Sequence, residues 1–121
     1  MEYIVRKLEL REPIELVEGK ESADGTTALY EYRSLVRKND LEPAPEEHLA
    51  EGRVTGKIPA AKYLFTQGTG AVPENVLRGA AEQVWTESLW LGLEFKNDRI
   101  LVRILSEDGK MAHQIFREIN T

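Results

Sequence analysis

The sequence predicts an α+β fold, an antiparallel sheet crossed by one principal helix at about residues 73–91. Three observations carry this. After Pro73-Glu74, the residues Leu77, Ala80, Ala81, Val84, Ser88 and Leu91 recur at three- and four-residue spacing, which places one buried stripe along a helix. Ile100, Val102 and Ile104 alternate with Leu101, Arg103 and Leu105, the period of two that marks a strand. Between them and Met111 to Ile119, Asp108-Gly109 supplies the dipeptide favoured in a tight hairpin, so the last segment returns as a partner strand.

Each remaining element follows from local chemistry. Residues 3–10 alternate, with Ile4, Arg6 and Leu8 opposite Tyr3, Val5 and Lys7, and read as a strand that Arg11-Glu12-Pro13 interrupts. A short extended piece is expected at Ile14–Val17, followed by a charged, glycine-containing loop from Glu18 to Gly25. Thr27 to Val36 fits period two better than a helix, although Leu29, Tyr32, Leu35 and Val36 also share a helical stripe. Asn39, Asp40, Pro43 and Pro45 prevent regular structure over most of 38–51, leaving room for one helical turn at Glu46 to Ala50. Arg53 to Ile58 and Ala61 to Thr66 are expected to be extended, with Pro59 at an edge or strand entry where its missing N–H does no harm. Proline at the first helical position and an acid beside it favour a start at 73, and Gly92 stands where a C-terminal cap belongs. Gly79 is the weak point of the helix and is expected to mark close packing against the sheet.

Composition narrows the function classes. A chain of 121 residues that is 41% hydrophobic has the size of one domain, and residues 1–121 are read as one. A net charge of −5 argues against direct nucleic-acid binding, which draws on clustered cations that release counterions. Arg33, Arg37 and Lys38 form the densest basic cluster, but Glu31, Asp40 and Glu42 surround them, as on an ordinary solvated face. There is no cysteine, hence neither a disulfide framework nor a thiolate metal site. No run approaches the ~18 apolar residues of a membrane span, and the expectation is a soluble cytoplasmic protein without a membrane partner.

Ile58-Pro59-Ala60-Ala61-Lys62-Tyr63 leads into an apolar strand, the glycine turn Gly68-Thr69-Gly70 and the helix, which ends at Leu91-Gly92-Leu93; the chain closes on Phe116-Arg117-Glu118-Ile119. In order and spacing this run resembles the GyrI-like, AraC-type effector-binding domains. That family is a pseudo-duplicated β-α-β-β unit whose halves frame a groove for small molecules. Residues 53–119 resemble its second half, whereas 1–52 resemble an abbreviated or divergent first half with its helix reduced or gone, which would leave one sheet face for another molecule to cover. Relatives that bind cationic aromatic drugs place a buried carboxylate at the position that Val102 occupies here. Its absence implies that a cation loses its main reason to bind and that a neutral or anionic ligand fits as well. Glu94 is the nearest substitute, although its place just past Gly92 suggests a surface turn.

Tyr30, Tyr32, Tyr63, Phe65, Trp85 and Trp90, with Val102 and Glu94, are the candidate ligand-binding residues, because aromatic walls suit flat apolar or aromatic molecules. Against this, tryptophans on an amphipathic helix commonly cover a core edge or an interface. Gly68-Thr69-Gly70 lacks the lysine and the spacing of a phosphate loop and reads as a plain turn. His48 and His113 belong to no metal-binding spacing, and His113 is expected at the surface or between strands. Ser22, Ser34, Ser88 and Ser106 have no nucleophile-elbow context, so no catalytic residue, metal or cofactor is assigned. Hydrolases with groove acids occur among the resembled domains, and only Glu31 and Glu94 would match that role. The leading expectation is a stand-alone small-molecule binding or sensing domain. The alternative is a non-catalytic interaction or assembly subunit that uses an exposed sheet edge and the Trp-bearing helix to bind a protein partner or to form a homodimer.

Overall fold

Period-two patterning becomes strands and the single helical pattern becomes one helix. The computed structural model describes residues 3–16, 24–34 and 52–120. In chain order the elements are β1 (Arg6–Leu10), β2 (Ile14–Glu15), β3 (Thr26–Arg33), β4 (Arg53–Val54), β5 (Lys57–Ile58), β6 (Ala61–Thr69), α1 (Glu74–Leu91), β7 (Arg99–Glu107) and β8 (Lys110–Glu118). Six strands form an antiparallel sheet in the order β1-β6-β8-β7-β3-β4, while β2 pairs with β5 in a separate two-stranded ribbon. The architecture is the expected α+β arrangement, one helix packed on an antiparallel sheet. Val17, Leu35, Val36, the region 38–51 with its possible turn at Glu46 to Ala50, His48 and Ser22 lie outside the described residues.

The helix starts and stops for local reasons. Pro73, extended at φ −67° and ψ 149°, caps the N-terminus, where no N–H is required of it, and Glu74 sits at the positive end of the macrodipole. Gly92 takes the left-handed conformation at φ 65° that residues with a Cβ resist; its amide donates to the Leu89 carbonyl at 3.3 Å and the Leu93 amide to that of Ser88 at 2.9 Å. The buried stripe differs from expectation at its end. Trp85 is buried at 3% exposure, whereas Leu91 is 44% exposed, because the packed face ends at Ser88 and the last turn projects beyond it. Gly79 is not a point of close packing: beyond its own helix backbone, no atom lies within 4 Å of where its Cβ would be, since it stands off the line through Leu77, Ala81, Val84 and Ser88.

Side-chain alternation divides the sheet into two faces. On the helix face, Leu77, Ala80 and Ala81 pack on Tyr3, Ile100, Val102, Ile104 and Ile115. Further along the helix, Val84 and Trp85 pack with Leu64, Phe95 and Ile119. The opposite parity supplies Leu29, Tyr63, Phe65, Leu101 and Phe116, covered by Ile58 together with Ile14 and Leu16. Full burial of one large apolar side chain is worth roughly 1.5–3 kcal/mol, so each face holds a substantial core.

Arg53 to Ile58 is not one extended segment: the chain turns at Thr55-Gly56, so β4 joins the main sheet beside β3 and β5 joins the ribbon. The second sheet face is not left for another molecule to cover, because β2 and β5 close over it. Since β2 follows edge strand β1 and β5 follows edge strand β4, the ribbon also ties the two sheet edges together. The β7–β8 hairpin forms as expected, with Asp108 at φ 51° and Gly109 at φ 76°, the paired left-handed residues of a turn that matches strand twist.

Candidate functional site

Strand register decides which candidate residues can meet. Tyr30 lies opposite Val102 across β3 and β7, Val102 opposite Ile115 across β7 and β8, and Tyr32 opposite Ile100. All of them share the helix face, where the partly buried Tyr30 and Tyr32 pack against the core around Val102, itself 1% exposed. Burial, followed by the nearby Tyr30 and Glu74, pushes the Tyr32 hydroxyl pKa upward. Trp85 packs on the same face, toward its other end.

The other four candidates lie elsewhere. Tyr63 and Phe65 have the opposite parity and pack beneath the ribbon, with Tyr63 edge-on to Phe116 at a centroid distance of 5.6 Å. The Tyr63 hydroxyl donates to the Pro59 carbonyl at 2.5 Å, and its pKa is pushed up to about 12, first by burial and then by Glu118. Trp90 is 82% exposed on the last helical turn, and Glu94 is exposed in the turn after Gly92. One continuous aromatic wall is therefore not formed. Parity alone would have separated Tyr63 and Phe65 from Tyr30 and Tyr32 only once the strand pairing was known.

Several polar residues are buried on the helix face, and sequence reasoning did not place them there. Of the two places expected for His113, the surface or between strands, it takes the second: it is 1% exposed on β8, between Gly68 of β6 and Ile104 of β7. Its Nδ1 lies 2.8 Å from the Gly70 carbonyl, which can only accept, so the proton belongs on Nδ1 and Nε2 accepts from the Tyr3 hydroxyl at 3.1 Å. Gly68 makes this approach possible: a Cβ there would stand 2.8 Å from His113 Nε2. Gly68-Thr69 is therefore not a turn: both residues extend β6 in register with His113 and Ala112, and the chain bends only at Gly70, whose amide donates to Met111 O at 2.7 Å.

Arg117 is the most unusual member of this face. It stands between Ile115 and Ile119 on β8, in register with Leu64 of β6, and is 3% exposed. Its guanidinium carbon lies 3.8 Å from the centroid of the Phe95 ring, and its Nε has no hydrogen-bond partner. Burial pushes its pKa down to about 10, which Asp98 opposes, so the group is charged at neutral pH. The alternation His113, Ile115, Arg117, Ile119 was visible in the sequence, but an arginine inside such a run reads as a strand end rather than as core.

The ribbon face treats its charges differently. Glu31, 7% exposed, accepts two hydrogen bonds from Arg53, at 2.9 and 2.5 Å, and lies 3.6 Å from Arg99. Arg103 donates to Gln114 at 3.1 Å and to Thr26 at 2.7 Å, and is also bonded to Asp24. Glu31, a possible groove acid by resemblance, is therefore occupied by two guanidinium groups.

Two clefts open on the surface. One of about 580 Å³ lies at the β1–β6 end, among Glu9, Arg11, Lys62, Lys96 and Glu118. Another of about 590 Å³ lies between the ribbon and β3, lined by Leu16, Thr27, Leu29, Val54 and Gly56. Among the described residues no cluster of three or more His, Asp or Glu is placed to hold a metal ion, and no helix is long and apolar enough to cross a membrane. The Ser88 hydroxyl donates to the Trp85 carbonyl at 2.5 Å, a bond within the helix. Comparison of the chain with protein-family models, with curated proteins and with solved structures returns no match.

Proposed function

We propose that this chain is a non-catalytic interaction module that self-associates through the C-terminal turn of its helix. The observation that carries this reading is Trp90, 82% exposed and flanked by Leu89 at 41% and Leu91 at 44%. One tryptophan of the helix, Trp85, is committed to the core, so the second is not needed to hold the helix on the sheet. Large apolar side chains grouped at the surface are the usual signature of a contact with another protein, and tryptophan is among the residues that dominate such contacts. A second copy is the simplest occupant, since a two-fold arrangement sets each Trp90 turn against its equivalent. Sedimentation velocity across the micromolar range tests this: the chain dimerises, and Trp90→Ala shifts it to monomer without lowering its unfolding midpoint. A wild-type chain that stays monomeric at 100 μM would sink the reading.

A second reading, small-molecule binding on the helix face, is supported by the meeting of Tyr30, Tyr32 and Val102 in register beside Leu77. It accords with the resemblance to GyrI-like effector-binding domains. Its ligand would lie beside the tyrosines and within range of Trp85, so titration with planar compounds is expected to change tryptophan emission.

A further inference from the structure

We propose that Arg117 is the recognition group for a small organic anion bearing a single carboxylate, bound on the helix face beside Phe95; this rests on the small-molecule reading of that face. The first step is electrostatic. A cation withdrawn from water is unfavourable unless an anion or a set of acceptors meets it. Arg117 is 3% exposed, and among the described residues no carboxylate forms an ion pair with it and no acceptor meets its Nε. Asp98, whose charge acts on it through space, is engaged by Arg33 at 3.2 Å.

The second step is geometric. Phe95 covers one face of the guanidinium, which leaves the in-plane N–H groups as the means of recognition. Those groups form a planar fork that matches the two oxygens of a carboxylate.

Charge sets the ligand's valence. Neighbouring cations already have acids: Lys96 pairs with Glu118 at 3.1 Å and Arg99 with Glu31 at 3.6 Å. One unmatched positive charge calls for one negative charge, so a carboxylate fits better than a doubly charged phosphate. Phe95 beneath the fork suits an aromatic body attached to that carboxylate.

The test uses three isosteric probes, benzoate, benzamide and benzamidine, with calorimetric titration of the wild-type chain, Arg117→Lys and Arg117→Met. Benzoate is expected to bind at least tenfold more tightly than benzamide, to weaken with lysine, which keeps the charge but loses the fork, and to lose its preference with methionine. Circular dichroism establishes that each variant is folded. Equal affinity for benzoate and benzamide, or a benzoate preference that survives in Arg117→Met, overturns the role of Arg117 while leaving a ligand site in place. If none of the three probes binds the wild-type chain, the ligand reading falls together with the proposal.

Discussion

The two faces of the sheet are built on different rules. Beneath the ribbon, the buried polar groups described above have partners: the Tyr63 hydroxyl has Pro59, and Glu31 has Arg53 and Arg99. On the helix face, a guanidinium rests on an aromatic ring with its Nε unpartnered, inside a wall of isoleucines. A face selected for stability alone satisfies or excludes such groups, because each unmet buried polar atom costs free energy. The contrast teaches that the ribbon face is the foundation and the helix face carries a tension that an apolar residue would remove.

Substitutions can break this comparison, beginning with the largest effect. Phe116→Ala removes a ring packed against Tyr63 and Phe65 and is expected to lower unfolding free energy by about 3–5 kcal/mol in urea titration. A loss below 1 kcal/mol would mean that the ribbon core is loosely packed. Arg117→Met is expected to act in the opposite direction, raising stability by about 1–2 kcal/mol, because the cost of a buried charge exceeds its ring contact. If the methionine variant is less stable, the guanidinium is already well compensated and the two faces are alike. Glu31→Gln is expected to have a smaller effect than either. It deprives Arg53 and Arg99 of their acid, yet the Arg53 side chain is 69% exposed and returns to water, so a loss of about 1 kcal/mol is expected, shrinking in high salt. The smallest effect is Gly79→Ala, expected to add about 0.5–1 kcal/mol through helix propensity, since the added methyl meets no neighbour. Thermal unfolding that shows destabilisation instead would place Gly79 in a contact absent from this arrangement.

Much of the fold was legible from local rules. Pro73 and Gly92 bracketed the helix within one residue of Glu74–Leu91, because caps are encoded by single residues. Asp108-Gly109 announced its hairpin because both positions need left-handed backbone. Long-range choices were not legible. Nothing local in Arg53 to Ile58 reveals that its halves belong to different sheets, and the covering of the second face depends on Ile14 meeting Ile58, 44 residues apart. For the candidate site, Tyr30, Tyr32 and Val102 came together because alternation fixes a strand's faces, while Tyr63 and Phe65 went to the opposite side because parity relative to β3 is set only by pairing. Arg117 was missed because residue type suggested water, and His113 stayed open between surface and strand; only the neighbouring strands put both inside.

The ribbon has one more consequence. Exposed margins of a sheet ordinarily fray independently, each at its own small cost. Here Ile14-Glu15 and Lys57-Ile58 clasp one another just beyond the two outermost strands, so loosening either border tugs on its opposite number. Breathing at the two borders becomes one shared event, and a clasp of only two residue pairs, seated on Leu29 and Phe116, converts local restlessness into cooperative unfolding.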